Sequence, residues 1–116
     1  MLIIRQNKYG NKRTTLHGIA FDSQKEAYRY NDLLLLQRVG KISNLRRQVR
    51  FNLIPATNDE RGVSYFADFT YTEDGKNIVE DVKSEATKKD KTYIIKRKLL
   101  KWRYPEIVFR EMLGCD

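Results

Sequence analysis

At 116 residues, 41% hydrophobic and 11% aromatic, the chain has the size and composition of one globular domain, which excludes disorder and leaves no room for a second core. Its 23 Lys and Arg against 15 Asp and Glu give a net charge of +8, so the expected partner is a polyanion, nucleic acid before an anionic membrane surface. The longest apolar run, Leu33 to Leu36, cannot span a bilayer, and Met1-Leu2-Ile3-Ile4 is too short for a signal-peptide core. Cys115 is the only cysteine, so an intrachain disulfide or cysteine zinc site is excluded and a reducing, cytoplasmic setting is expected. A GxxxxGK phosphate loop is missing, so no nucleotide cofactor is expected.

In chain order, residues 1–20 read as irregular, with residues 1–18 a basic N-terminal extension whose "KYGNKR" stretch, including Lys12 and Arg13, suits a flexible arm on DNA. His17-Gly18 marks a turn before a short apolar piece, Ile19 to Phe21. A single domain is expected over 19–113. Ser23 followed by Glu26 fits a capping box, apolar residues recur at Ala27, Tyr30, Leu33 and Leu34, and Gly40 fits a C′ stop. This predicts a helix over about 23–38. Ile42 to Leu45 is a short extended piece. In "RQVRFNLI" the apolar Val49, Phe51 and Leu53 alternate with Gln48, Arg50 and Asn52, the pattern of a strand. "VSYFADFTY" and "KNIVEDVK" are two further strands joined by Asp74-Gly75, the strongest short hairpin signal. Ser84 and Glu85 open a charged loop. About Thr87 to Tyr104 reads as a helix with Ile95, Leu99 and Trp102 as its apolar stripe, placing Trp102 in the core. "EIVFREM" is the last strand.

The Asp74-Gly75 turn sets the hairpin register. As a two-residue turn it pairs Glu73 with Lys76 and brings Asp68 opposite Asp81, while a longer loop would separate them. Val63, Tyr65, Ala67, Phe69, Ile78 and Val82 then share the core face. Directly opposed residues have Cβ atoms about 5 Å apart and like charges there repel, which calls for a reason such as a divalent cation. Lys83, about 7 Å further along the same face, suits positioning a water or offsetting charge on a phosphate. A charged, solvated hairpin face remains the plain alternative.

"YFADF", twelve residues, then "DVK" resembles the signature of the PD-(D/E)xK nuclease superfamily, with Ala67 where the motif has proline. The element order is similar to that family's restriction-endonuclease-like αβββαβ core, an α/β fold with a mixed sheet flanked by two helices. "FDSQKEAYRY" resembles its first core helix, and "RRQVRF" the glutamine-bearing region of transposon-end and phage members. The resemblance runs from about Tyr9 to Met112, to a small phage-encoded branch near Holliday-junction resolvases. It implies Mg²⁺ or Mn²⁺ held by Asp68, Asp81 and the backbone carbonyl of Val82, with Glu80 the alternative to Asp81 if the strand is bulged. Glu26 would hold a coordinated water or a second ion, Lys83 would position the attacking water, and Gln48 would bond that water or a phosphate. Glu26 also has the competing role of helix cap.

The expected function is a metal-dependent DNA endonuclease, structure-specific for branched DNA or Holliday junctions in phage recombination or replication. It would act as a homodimer in the cytoplasm of a bacterial host. The alternatives are a recruited nuclease subunit of a transposition or packaging machine and a non-catalytic DNA-binding protein. Residues 84–103 hold eight basic and two acidic residues. Lys88, Lys89, Lys91, Lys96 and Arg97, with Lys12 and Arg13, are the expected phosphate contacts.

Overall fold

The computed structural model describes residues 3–6 and 12–113, with side chains described from residue 14 onward. Strands β1 (Ile3–Gln6), β2 (Lys12–Leu16) and β3 (Ile19–Phe21) form a three-stranded antiparallel sheet. Helix α1 (Gln24–Arg38) follows, then strands β4 (Ser43–Ile54), β5 (Val63–Glu73) and β6 (Lys76–Lys83). Helices α2 (Glu85–Lys88) and α3 (Lys91–Arg103) lead to strand β7 (Val108–Leu113). The second sheet has the order β4-β5-β6-β7 and is mixed, because β7 returns parallel to β6 after the helices. The protein is thus an α/β structure with a mixed four-stranded sheet and, among the described residues, three helices.

The reading of residues 1–20 as an irregular extension is corrected. His17 and Gly18 turn β2 back on β3 with φ of 53° and 75°, both left-handed as a tight hairpin turn requires. Leu16 and Phe21 are buried against Ala27 of α1. The boundary at residue 18 therefore does not separate an arm from a domain. Residues 8–11 of "KYGNKR", and the side chains of Lys12 and Arg13, lie outside the described residues.

Helix α1 starts where Ser23 Oγ accepts from the Glu26 amide (3.1 Å), satisfying one of the free donors of the first turn. It stops at Gly40, with φ of 82°, where Lys41 N donates to Leu36 O (2.9 Å) and Gly40 N to Gln37 O (3.1 Å). That pair of bonds is a Schellman closure. From Ser43 the short extended piece runs into the following strand as β4, with a register shift between Ser43 and Arg46.

The two faces of the main sheet hold separate cores. Leu33, Ile42, Phe69, Tyr71 and Ile78 are buried on the α1 side. Leu53, Tyr65, Ala67, Val79, Tyr93 and Leu100 are buried on the α3 side. The expectation that Tyr65, Ala67 and Phe69 share one face is therefore corrected. Strand β5 changes face at Asp68, between Ala67 and Phe69. Gln48 sits opposite, between the pairs Arg47↔Phe69 and Val49↔Ala67, and has a left-handed φ of 50°. A left-handed residue breaks the two-residue alternation, and both strands reverse their facing at the same level.

The second predicted helix is two helices, broken at Lys89-Asp90; Ser84 caps α2 and Asp90 caps α3 through the Tyr93 amide (2.9 Å). The expected stripe is also out of phase. Tyr93 and Leu100 face the sheet, whereas Ile95 is 59% and Trp102 75% exposed. Trp102 is not a core residue.

Candidate functional site

The hairpin register agrees with the turn argument. Asp74 (φ 52°) and Gly75 (φ 75°) form the turn, Glu73 pairs with Lys76, and the ladder runs to Phe69↔Glu80. At the next level Asp68 and Asp81 clasp the opposite backbones. Asp68 N donates to Asp81 Oδ1 and Val82 N donates to Asp68 Oδ2, each at 2.9 Å. Carboxylates here replace the carbonyl acceptors of a regular ladder, at the level where β5 changes face.

The other expected residues arrive from separate elements. Glu26 is buried on the inner face of α1 and accepts from Gln48 Nε2 at 3.0 Å, and the same nitrogen lies 3.5 Å from Asp68 Oδ1. The Glu26 carboxylate thus turns toward β4 and β5. Lys83 Nζ lies 4.0 Å from Asp81 Oδ2 and 4.9 Å from the centre of the Tyr93 ring, a cation–π contact. Glu26, Gln48, Asp68, Asp81 and Lys83 therefore form one connected group.

Burial raises the Asp68 carboxyl above its usual range, opposed by the Val82 amide and the Lys83 charge. Burial likewise raises Asp81, opposed by Lys83 and the Asp68 amide, while Glu111 pushes it further up. Glu26 is pushed up to about 7, first by burial and then by the charge of Asp68. Three carboxyl groups of the connected group thus resist ionisation.

Asp81 is fully buried, yet its Oδ2 has no hydrogen-bond partner. A buried carboxylate oxygen left unbonded is costly unless something else fills that role. Among the described residues no three His, Cys, Asp or Glu side chains converge to hold an ion. A set of two carboxylates with a backbone carbonyl beside them, that of Val82, fits Mg²⁺, which retains several waters.

Glu80, the alternative ligand, faces the α1 side and is fully occupied. Arg29 grips it through Nε to Oε2 (2.7 Å) and Nη2 to Oε1 (2.9 Å), and the Tyr71 hydroxyl donates to Oε1 (2.6 Å). Arg29 and Tyr71 were not expected from the sequence, because their partner lies 51 and 9 residues away and no local pattern links them. Glu111 was also missed. It sits beside Asp81 on the parallel strand and accepts from the Tyr93 hydroxyl. It also pairs with Lys88 (3.8 Å) and Arg97 (3.6 Å), so those two expected phosphate contacts are partly engaged within the fold. Lys89 and Lys91 are exposed and Lys96 is half-buried.

Fold and site together define an α/β protein with an acidic cluster and one lysine where its sheet changes face. The chain belongs to the family described as protein of unknown function DUF1064, whose model matches residues 6–114. No curated protein and no solved structure matches the chain significantly. No helix among the described residues is long and apolar enough to cross a membrane.

Proposed function

We propose that the protein is a divalent-metal-dependent endonuclease that hydrolyses DNA phosphodiester bonds, with a PD-(D/E)xK-like core formed by α1, β4 to β6, α3 and β7. The observation that carries this reading is the clasp of Asp68 and Asp81, with the unbonded buried Oδ2 of Asp81 facing Lys83. A structural ion pair has no use for a buried carboxylate clasped to a half-buried one with an oxygen left over, whereas a cation site does.

In this reading the Asp68 and Asp81 carboxylates, with the backbone carbonyl of Val82, would hold Mg²⁺ or Mn²⁺. Such an ion would supply Lewis-acid chemistry to a phosphoryl oxygen and to a water. Lys83 orients the attacking water and offsets phosphate charge, with its ammonium steered by Tyr93 and Asp81. Glu26, poised near 7, holds or passes a proton at its Oε atoms, and Gln48 fixes its orientation. Lys89, Lys91 and Lys96 contact backbone phosphates. The substrate in this reading is branched or otherwise shape-defined DNA. Cutting both strands of a junction needs two such sites, hence a homodimer.

The test is cleavage of a labelled four-way junction and a matched linear duplex with Mg²⁺ or Mn²⁺, using wild type, Lys83→Ala and Asp68→Ala. The expected result is metal-dependent cutting of the junction, reduced at least about a hundred-fold in both variants. Equal cutting of both substrates would remove the shape preference. Wild-type protein that binds but never cuts, alone or with added transposase or packaging proteins, would overturn the enzymatic reading.

A further inference from the structure

Helix α3 carries six basic residues and no acidic one, and Tyr93 and Leu100 fix which of its faces meets the sheet. Lys91, Ile95, Lys98 and Trp102 follow at spacings of four, three and four. At about 100° per residue they fall on one stripe opposite the buried face, roughly 16 Å long. All four are exposed. Single exposed apolar residues are ordinary, but here cation, aliphatic, cation and indole alternate along one line. Among the described residues Lys91 and Lys98 have no carboxylate within ion-pairing distance, and Arg97 is the only basic residue of the helix that does.

We infer that this stripe binds single-stranded nucleic acid, with Trp102 stacking on an unpaired base and Lys98 and Lys91 holding neighbouring phosphates. Charge complementarity selects a polyanion. The exposed indole and Ile95 select one that also offers flat apolar surfaces beside its charges. An unpaired strand presents both, whereas a duplex hides its base faces and polyphosphate has none. The inference takes its partner class from the proposed function but is independent of the cleavage step. It adds that the substrate has an unpaired stretch.

Trp102 is the only tryptophan, so its emission reports on the stripe directly. The full chain is titrated in chelator, without divalent ions, with oligothymidylate, a blunt duplex of equal length and inorganic polyphosphate. Oligothymidylate is expected to quench the emission and the other two to leave it nearly unchanged. By anisotropy of labelled oligonucleotide, Trp102→Ala is expected to bind about ten-fold more weakly or worse, with Trp102→Phe recovering most of the loss and duplex affinity unchanged. Lys98→Ala is expected to lower the salt slope by about one contact. Equal quenching by polyphosphate would reduce the stripe to a charge effect and overturn the inference. Unchanged single-strand affinity in Trp102→Ala would overturn it too, as would a concentration-dependent emission change without nucleic acid, which would make the stripe a self-association surface. Because no metal is present, these outcomes stand apart from success or failure of cleavage.

Discussion

Glu26 shows how one side chain couples the site to stability. Its carboxyl is pushed from 4.5 up to about 7 by burial and by Asp68. The folded protein therefore holds that proton more tightly than the unfolded chain. The neutral form costs nothing at low pH, and stability falls as pH rises from about 4.5 to about 7, the loss being complete above that. The penalty is on the order of 3 kcal/mol. Glu26→Gln keeps an acceptor for Gln48 and removes the titration. Thermal melts of this variant are expected to match wild type near pH 4 and to lie several degrees higher at pH 8. A variant no more stable than wild type at pH 8 would show that Glu26 is solvated or already compensated. Within this group the Asp74-Gly75 turn made the juxtaposition of Asp68, Asp81 and Lys83 legible in the sequence, whereas Glu26 and Gln48 entered through the family resemblance. The group's electrostatic setting was not legible, since burial of Asp81 and the grip of Arg29 on Glu80 depend on residues far apart in the chain.

At the scale of elements, the phase of α3 is the feature most open to direct measurement. Leu100→Ala leaves a cavity in the α3-side core and is expected to cost about 2–5 kcal/mol in chemical denaturation. Ile95→Ala removes an exposed side chain and is expected to change stability by less than about 0.5 kcal/mol. A larger loss for Ile95→Ala than for Leu100→Ala would place the helix in the phase first expected from its sequence. That phase was misread because "YIIKRKLLKW" contains two apolar stripes, one through Tyr93 and Leu100 and one through Ile95, Leu99 and Trp102. Basic residues flank both, so charge could not choose between them. The caps at Ser23 and Gly40 and the Asp74-Gly75 turn were legible because each rests on chemistry within a few residues. Strands β1 and β2 were not, because short polar strands carry little periodic signal and gain their stability from pairing and from α1.

For the whole molecule, a chain of net charge +8 nevertheless gathers three carboxyl groups with raised pKa values at one place. A cation bound there lowers their mutual repulsion and binds only the folded state, so it stabilises by mass action. Mn²⁺ or Mg²⁺ is expected to raise the melting temperature at pH 8, by an amount that grows with metal concentration and shrinks toward pH 5 as the carboxyls take up protons. Asp81→Asn is expected to abolish the rise. A metal effect that survives this substitution would locate the ion elsewhere.

The clasp between Asp68 and Asp81 has one more consequence. Two amide protons, those of Asp68 and Val82, are held by ionisable side chains instead of peptide carbonyls. Their resonances will follow the protonation of the two carboxyls, and their exchange with deuterium will change when an ion draws on the same oxygens. Nuclear magnetic resonance can thus watch this centre fill and empty in the free protein, with no substrate and no turnover.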